Sequence, residues 1–129
     1  MTKIVVIGAG PVGVVSALAC AQRGWDVILL EALPAVDSSP RAATTHPATL
    51  EMIARIGLIE EYIAQGLVAR YVQFWDRRTL TKIAEFDHEI LRDETQFPFV
   101  VQTEQHKLVV GSAHDGGKSA VHFRDTPVP

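Results

Sequence analysis

The chain has 129 residues, is 47% hydrophobic and 21% charged, and carries a formal net charge of -3; that balance describes a globular chain with room for one hydrophobic core. Lys and Arg are scattered rather than gathered on one stripe, so the electrostatic footprint of phosphate-backbone binding is missing and nucleic acid is not an expected partner. The apolar N-terminal run is interrupted by Gly10, Pro11 and Gly13 and lacks a basic lead and a small-residue cleavage site, which argues against a membrane span or export signal and for a cytoplasmic protein.

Lys3 to Gly8 (KIVVIG) is a β-branched run of the kind buried in a parallel sheet. After a glycine-rich turn, Pro11 to Arg23 is small and helix-compatible, and Gly24 stands where a helix ends in the left-handed conformation. Trp25 to Glu31 (WDVILLE) reads as a second buried strand, so residues 1–31 form a βαβ half-unit. Cys20 lies in its helix; as the single cysteine it has no disulfide partner, offers no Cys-based metal site, and is expected as a small buried hydrophobe.

Leu33 to Thr45 lacks either periodicity and reads as a loop. Pro47 suits the first turn of a helix that carries Leu50, Ile53, Ala54 and Ile56 up to Gly57, and a second short helix runs from Leu58 to Gln65. Val68 to Asp76 and Leu80 to Asp87 flank Arg77, Arg78 and Thr79, which predicts an antiparallel hairpin over 68–87 with Phe74 and Trp75 in its core. His88 to Gln96 is a loop, Phe97 to Gln102 is extended, and Glu104 to Val110 is a helix. Asp115, Gly116 and Gly117 form a turn before a last strand at Ala120 to Arg124. The fold class is α/β with a parallel sheet.

Gly8, Gly10 and Gly13 spell G-x-G-x-x-G (GAGPVG), a pattern that gains meaning only from context. Here it follows a strand, opens a helix, and is followed eighteen positions after Gly13 by an acidic residue, Glu31, with Ala32 beside it. Gly8 permits the tight turn, Gly10 lets the backbone approach a pyrophosphate, and Gly13 allows close helix–strand packing. Pro11, Val12 and Gly13 are the first helical turn, whose partial positive charge favours an anion without a lysine. Glu31 is placed to accept hydrogen bonds from both hydroxyls of an adenosine ribose and to repel a 2′-phosphate. No Gly-Lys-Ser/Thr follows the turn, so a nucleoside triphosphate loop is excluded. The βαβ unit does not by itself separate FAD from NAD, and the same glycines also suit a βα turn in other doubly wound proteins.

Three segments, VVIGAGPVGVVSALACAQRGWDVILLEA, PRAATTHPATLEMIARIGLIEEYIAQG and FPFVVQTEQHKL, resemble in sequence and spacing the FAD-dependent aromatic hydroxylases, the class A flavoprotein monooxygenases of the p-hydroxybenzoate hydroxylase type. The resemblance extends over nearly the whole chain to AVHFRD. It implies a Rossmann-type (GR2-like) FAD-binding domain in which the hairpin begins the substrate domain. It also implies that Arg41 reaches the FAD pyrophosphate and ribose region, and that Gln105, with Leu108, contacts the flavin side, Gln102 being the second choice. A guanidinium on this loop also makes sense as a neutraliser of dinucleotide phosphate. The implied reaction uses NADH or NADPH to reduce bound FAD and places one atom of O₂ on an aromatic small molecule such as a phenol.

Members of that family are several hundred residues long, so the expectation is their N-terminal portion only: an incomplete domain, short of the later G-D flavin-contact motif and not catalytically complete by itself. The stretch VVGSAHDGGKSAV departs from the longer helix of the family. A missing C-terminal portion or a homo-oligomer would supply further surface. The alternatives are a dinucleotide-binding module without catalysis and a fragment of an NAD-dependent or different flavin oxidoreductase. No catalytic residue and no metal ligand is assigned: His46 reads as a helix N-terminal residue, and Asp76, Asp87 and Glu89 as solvated turn carboxylates.

Overall fold

The structure, a computed structural model, describes residues 3–35, 39 and 41–109, and the backbone of 121–125. The expected turn at Asp115 to Gly117 lies outside the described residues.

The chain opens with β1 (Lys3–Ile7), α1 (Pro11–Ala21) and β2 (Asp26–Glu31). β1 and β2 pair in parallel from Lys3↔Asp26 to Ile7↔Leu30. The last strand, Val121–Asp125, lies parallel on the other side of β2, from Val27↔Val121 to Glu31↔Asp125. Helix α1 forms because its residues are small and apolar and Pro11 presets the first turn. It ends at Ala21, two residues before the expected Arg23, in a turn closed by Gly24 at φ +83.

α1 covers one face of this sheet. Val14 and Ala17 pack with Val27 and Leu29, all buried, and Ile4, Val6 and the half-buried Cys20 border them. The other face is not covered in the same way: Val5 is 52% and Ile7 84% exposed. This corrects the expectation of a fully buried β1, because a parallel strand is buried on both sides only when helices lie on both faces.

A second core forms around α2 (Pro47–Arg55) and α3 (Ile59–Ala64), where Leu50, Ile53, Ile56, Leu58 and Tyr62 bury with Leu18, Val101 and Leu108. Burying each such leucine or isoleucine is worth about 1.5–3 kcal/mol. His46 is the N-cap of α2 without a side-chain cap bond, and Gly57 at φ +81 turns the chain out of it. Residues 105–109 are helical (α4). Its neighbours Leu108 and Val109 enter different cores, Leu108 joining Leu18 and Val109 joining Val14, as successive residues on a helix point about 100° apart.

An antiparallel sheet, whose Val101 enters this second core, consists of β3 (Thr44–Thr45), β7 (Val100–Gln102) and β4 (Leu67–Ala69), in the order β3-β7-β4. Two corrections lie here. Thr44 and Thr45, expected in a loop, pair with Gln102 and Val101. Val68 and Ala69, expected in the first hairpin arm, belong with Leu67 to β4 and pair with β7 instead. The two arms of the hairpin are β5 (Tyr71–Trp75) and β6 (Lys82–Asp87). His88–Leu91, expected as loop, forms a 3-10 turn whose N-cap, Asp87, accepts a hydrogen bond from Glu89 N.

Arg70 clasps the base of the hairpin. Its guanidinium donates to both carboxylate oxygens of Asp87, at 2.6 and 2.5 Å, and lies over the Tyr71 ring. Asp87 is thus an ion-pair partner rather than a solvated turn carboxylate, whereas Asp76 caps the turn by accepting from Arg78 N and Thr79 N. Phe74 and Trp75 are each 54% exposed, not core: Phe74 meets Phe86 edge to face across the strands, and a two-stranded sheet has no second layer of its own. No helix among the described residues is long and apolar enough to cross a membrane.

Candidate functional site

The turn from β1 into α1 is shaped by its glycines. Gly8 adopts φ +95, which only glycine takes without strain, and its amide donates to Leu30 O at 2.7 Å, adding a rung to the β1–β2 ladder. Gly10 is the N-cap of α1, and its carbonyl accepts the first helical bond from Val14 N at 3.0 Å. Pro11 has no N–H to leave unpaired. Val12 and Gly13 bring first-turn N–H groups that have no preceding helical turn to bond, at the positive end of an eleven-residue helix. The Val12 side chain is 81% exposed.

The glycines divide the work. A Cβ on Gly10 would meet nothing within 4 Å, so the space beside the helix N-terminus is open. A Cβ on Gly13 would sit 1.9 Å from Gly8 O, so at that point the helix and the turn are in direct backbone contact. Open space at Gly10 and contact at Gly13 are what a cradle for a pyrophosphate requires.

Glu31 ends β2 next to this loop. Its Oε2 accepts from Ala9 N at 2.6 Å, and its Oε1 from Ala32 N at 2.8 Å and Leu33 N at 2.9 Å. Hydrogen bonds from the amides of Leu33 and Ala9 hold its carboxyl below the usual range, so it is an anion at neutral pH. Gly8, Gly10, Pro11, Val12, Gly13, Glu31 and Ala32 thus lie together around the β1–α1 turn and the end of β2, as one candidate site. The residues fit an adenosine diphosphate end: free amides and a helix dipole for the phosphates, and a fixed carboxylate for a ribose.

Arg41 lies on the exposed loop after β2, and its Nε donates to Ser39 Oγ at 3.4 Å. Gln105 begins α4 and is half-buried; α4 packs through Leu108 and Val109 onto both cores that α1 serves. Gln102 is exposed on β7, and its Oε1 accepts from Thr44 Oγ1 at 3.0 Å. Sequence reasoning passed over Ala9 and Leu33, whose amides bind Glu31. Their side chains carry no signal; only the position of Ala9 inside the glycine motif marks it.

The FAD binding domain family model matches residues 1–126. The chain is 31% identical over 124 residues to para-nitrophenol 4-monooxygenase of a Pseudomonas species, covering 96% of this chain and 29% of that protein. It is 29% identical over 106 residues to 6-hydroxy-3-succinoylpyridine 3-monooxygenase of Pseudomonas putida, covering 82% of this chain and 27% of that one. Among solved structures, p-nitrophenol 4-monooxygenase from Pseudomonas putida superposes with a TM-score of 0.87 at 27% identity, over 96% of this chain and 32% of that chain. The chain thus spans less than a third of the length of these relatives.

Proposed function

The chain belongs to the FAD binding domain family, whose matched relatives are aromatic-ring monooxygenases, and from that premise we propose that it forms the adenosine-binding end of the FAD site in an FAD-dependent monooxygenase acting on a phenol-like ring. In this reading Val12 and Gly13 donate to the pyrophosphate beside Gly10, and Glu31, flanked by Ala32, accepts from the ribose. Arg41 offsets phosphate charge from the loop after β2, and Gln105 meets the flavin side.

The chemistry that FAD supplies when bound is the passage of two electrons from NADH or NADPH and the activation of O₂. In balance, one oxygen atom enters the aromatic ring, the other leaves as water, and the nicotinamide is oxidised. The residues of this chain bind and orient: they fix the adenosine end so that the distant ring system is held in one pose, and such positioning is worth several kcal/mol of barrier. A cytoplasmic setting, where NAD(P)H is available, suits this role.

One observation carries the reading, namely the open space at Gly10 beside the N-terminus of α1 with Glu31 at the end of the neighbouring strand. The test is titration of the purified protein with FAD, followed by flavin absorbance and fluorescence, with ADP as competitor. Saturable binding displaced by ADP is expected; binding of FAD that ADP does not displace would remove the adenosine-end assignment.

A further inference from the structure

The loop that carries Arg41 rejoins the fold through β3, a strand of two threonines that pairs as Thr44↔Gln102 and Thr45↔Val101. That is shorter than most strands, so backbone pairing alone does little to place it. Side chains add to it. Thr45 Oγ1 shares a hydrogen bond of 2.6 Å with the hydroxyl of Tyr62 in α3. Tyr62 is 4% exposed and packs in the second core, so its hydroxyl needs a partner within the protein. At the end of α3, Gln65 N donates to Tyr62 O at 3.3 Å, and Gln65 O accepts from Thr103 Oγ1 at 3.1 Å. Thr103, which follows β7 and is buried, donates through its own N–H to Ala43 O at 2.8 Å.

These bonds close a circuit from Thr45 to Tyr62, Gln65, Thr103 and Ala43, and along the chain back to Thr45. Arg41 stands two residues before Ala43, and Gln105 two residues after Thr103. We propose that the circuit sets the spacing between Arg41 and Gln105, and that the Tyr62 hydroxyl is a positioning residue for FAD acting through those two. The inference rests on the reading of Arg41 as a phosphate contact and Gln105 as a flavin-side contact.

Each link has a reason to stay closed. A buried polar group without a partner is costly, and here the buried hydroxyls of Tyr62 and Thr103 each find theirs inside the circuit. The bond between Ala43 and Thr103 joins the two ligand-bearing segments directly, while Tyr62 and Gln65, on one helix, hold the same two segments from a third side. Arg41 gains most from this. A long guanidinium side chain adds its own rotamer freedom to any looseness of the backbone beneath it, and ordering both on binding costs affinity. Tyr62→Phe keeps the ring and its packing and removes one oxygen, so β3 then depends on its short ladder and on Ala43 and Thr44 alone.

The experiment is FAD titration of the 129-residue protein, followed by flavin fluorescence, on Tyr62→Phe, on Arg41→Ala/Gln105→Ala and on the triple variant. Tyr62→Phe is expected to weaken FAD binding about three- to tenfold in the wild-type background, the scale of one lost hydrogen bond, and by less than about twofold once Arg41 and Gln105 are alanine. An equal loss in both backgrounds marks a general structural role and would overturn the proposal, as would wild-type affinity in Tyr62→Phe. If Arg41→Ala/Gln105→Ala binds FAD as the wild type does, the assignment of those two residues falls and the positioning role with it, while the reading of the glycine loop stands. Failure of the wild type to bind FAD would overturn all three. Without ligand, amide exchange at Thr103 is expected to quicken by at least about threefold in Tyr62→Phe while Val27 and Leu29 of β2 stay protected; unchanged exchange at Thr103 would overturn the circuit. If Tyr62→Phe does not fold, Thr45→Val takes its place and is judged by the same outcomes. Thr45→Ser, which keeps the hydroxyl, is then expected to bind FAD as the wild type does, and a loss equal to that of Thr45→Val would overturn the role of the Tyr62 bond.

Discussion

Gly10 and Gly13, three residues apart in the same turn, should respond in opposite ways to the same added methyl group. At Gly13 a Cβ would lie 1.9 Å from Gly8 O and 3.1 Å from Gly8 C. Both partners are backbone, so no side chain can swing away, and α1 must move off the turn by at least about 1 Å to restore van der Waals contact. Overpacking of this kind costs about 1–3 kcal/mol and more where backbone must shift. With both partners backbone the cost lies at the upper end, about 3 kcal/mol, and the gain in helix propensity from glycine to alanine returns about 1 kcal/mol, so a net loss of about 2 kcal/mol is expected for Gly13→Ala, which for a chain of this length lowers Tm by about 6–10 °C. At Gly10 the backbone has φ -70 and ψ 177, which any residue adopts, and the added Cβ meets nothing within 4 Å. Gly10→Ala should therefore keep the wild-type Tm within the error of a surface substitution, about ±0.5 kcal/mol, yet lose ADP and FAD binding because the methyl fills the space next to the first-turn amides. Circular dichroism melting and ligand titration on both variants check this. A Gly13→Ala protein that melts with the wild type, or a Gly10→Ala protein that binds with wild-type affinity, would refute the division of labour argued from the two positions.

Glu31→Ala is expected to weaken ADP binding by about 1–3 kcal/mol, the scale of hydrogen bonds to a charged acceptor, and calorimetric titration measures it. Asp87 has its carboxyl pulled down to about 2 by the Arg70 guanidinium; since the folded value is depressed, the stability it gives the hairpin base is fully present above the ordinary aspartate value of about 3.9 and is lost as pH falls toward 2. NMR signals of β5 and β6 should thus weaken over that range in the wild type and show no such step in Asp87→Asn. Leu80 takes φ 55 with its side chain 76% exposed, a conformation that costs a branched residue about 1–2 kcal/mol, so Leu80→Asn should raise Tm in thermal melts without altering ligand binding.

The dinucleotide unit was legible because every informative residue in it acts through something a sequence records. The β-branched run and the glycine spacing report strand, turn and helix in order, and Gly8, Gly10 and Gly13 stand where a side chain would strain φ, enter the open space beside the helix N-terminus, or strike a carbonyl. Glu31 was legible as an acidic residue at a strand end, but its three amide partners were not, because an amide of Ala9 or Leu33 looks like any other until the fold brings it near. The same limit explains β3: two threonines leave no period to detect, and their pairing with Gln102 and Val101 spans more than fifty residues. Leu67–Ala69 carried the same strand propensity as Tyr71–Trp75, and only the competition between β7 and β6 for a partner separates them. Exposure of Phe74 and Trp75 was illegible for a related reason, since apolar residues in a strand signal a face to be covered but not what covers it.

Helix α1 is the element that connects these observations into one site. Its N-terminus presents the first-turn amides of the candidate site, Val14 and Ala17 seat it on the parallel sheet, and Leu18, a quarter-turn on, enters the core of α2, α3 and β7. Gln22, just past its C-terminus, donates through Nε2 to Ile56 O at 2.8 Å, so the far end is pinned to the exit of α2 as well. α4 repeats the arrangement with Leu108 and Val109. The glycine loop at one end of α1 and Gln105 at the start of α4 are therefore positioned by two helices that share both cores, and neither can shift along its axis without disturbing side chains that are almost fully buried. A dinucleotide with many rotatable bonds has no fixed end-to-end distance of its own, so under the proposed assignment a rigid pair of anchor points would select one of its poses. Close-packed side chains in two cores supply that rigidity, and Leu18, buried between α1 and the elements of the second core, does most to fix where the N-terminus of α1 stands.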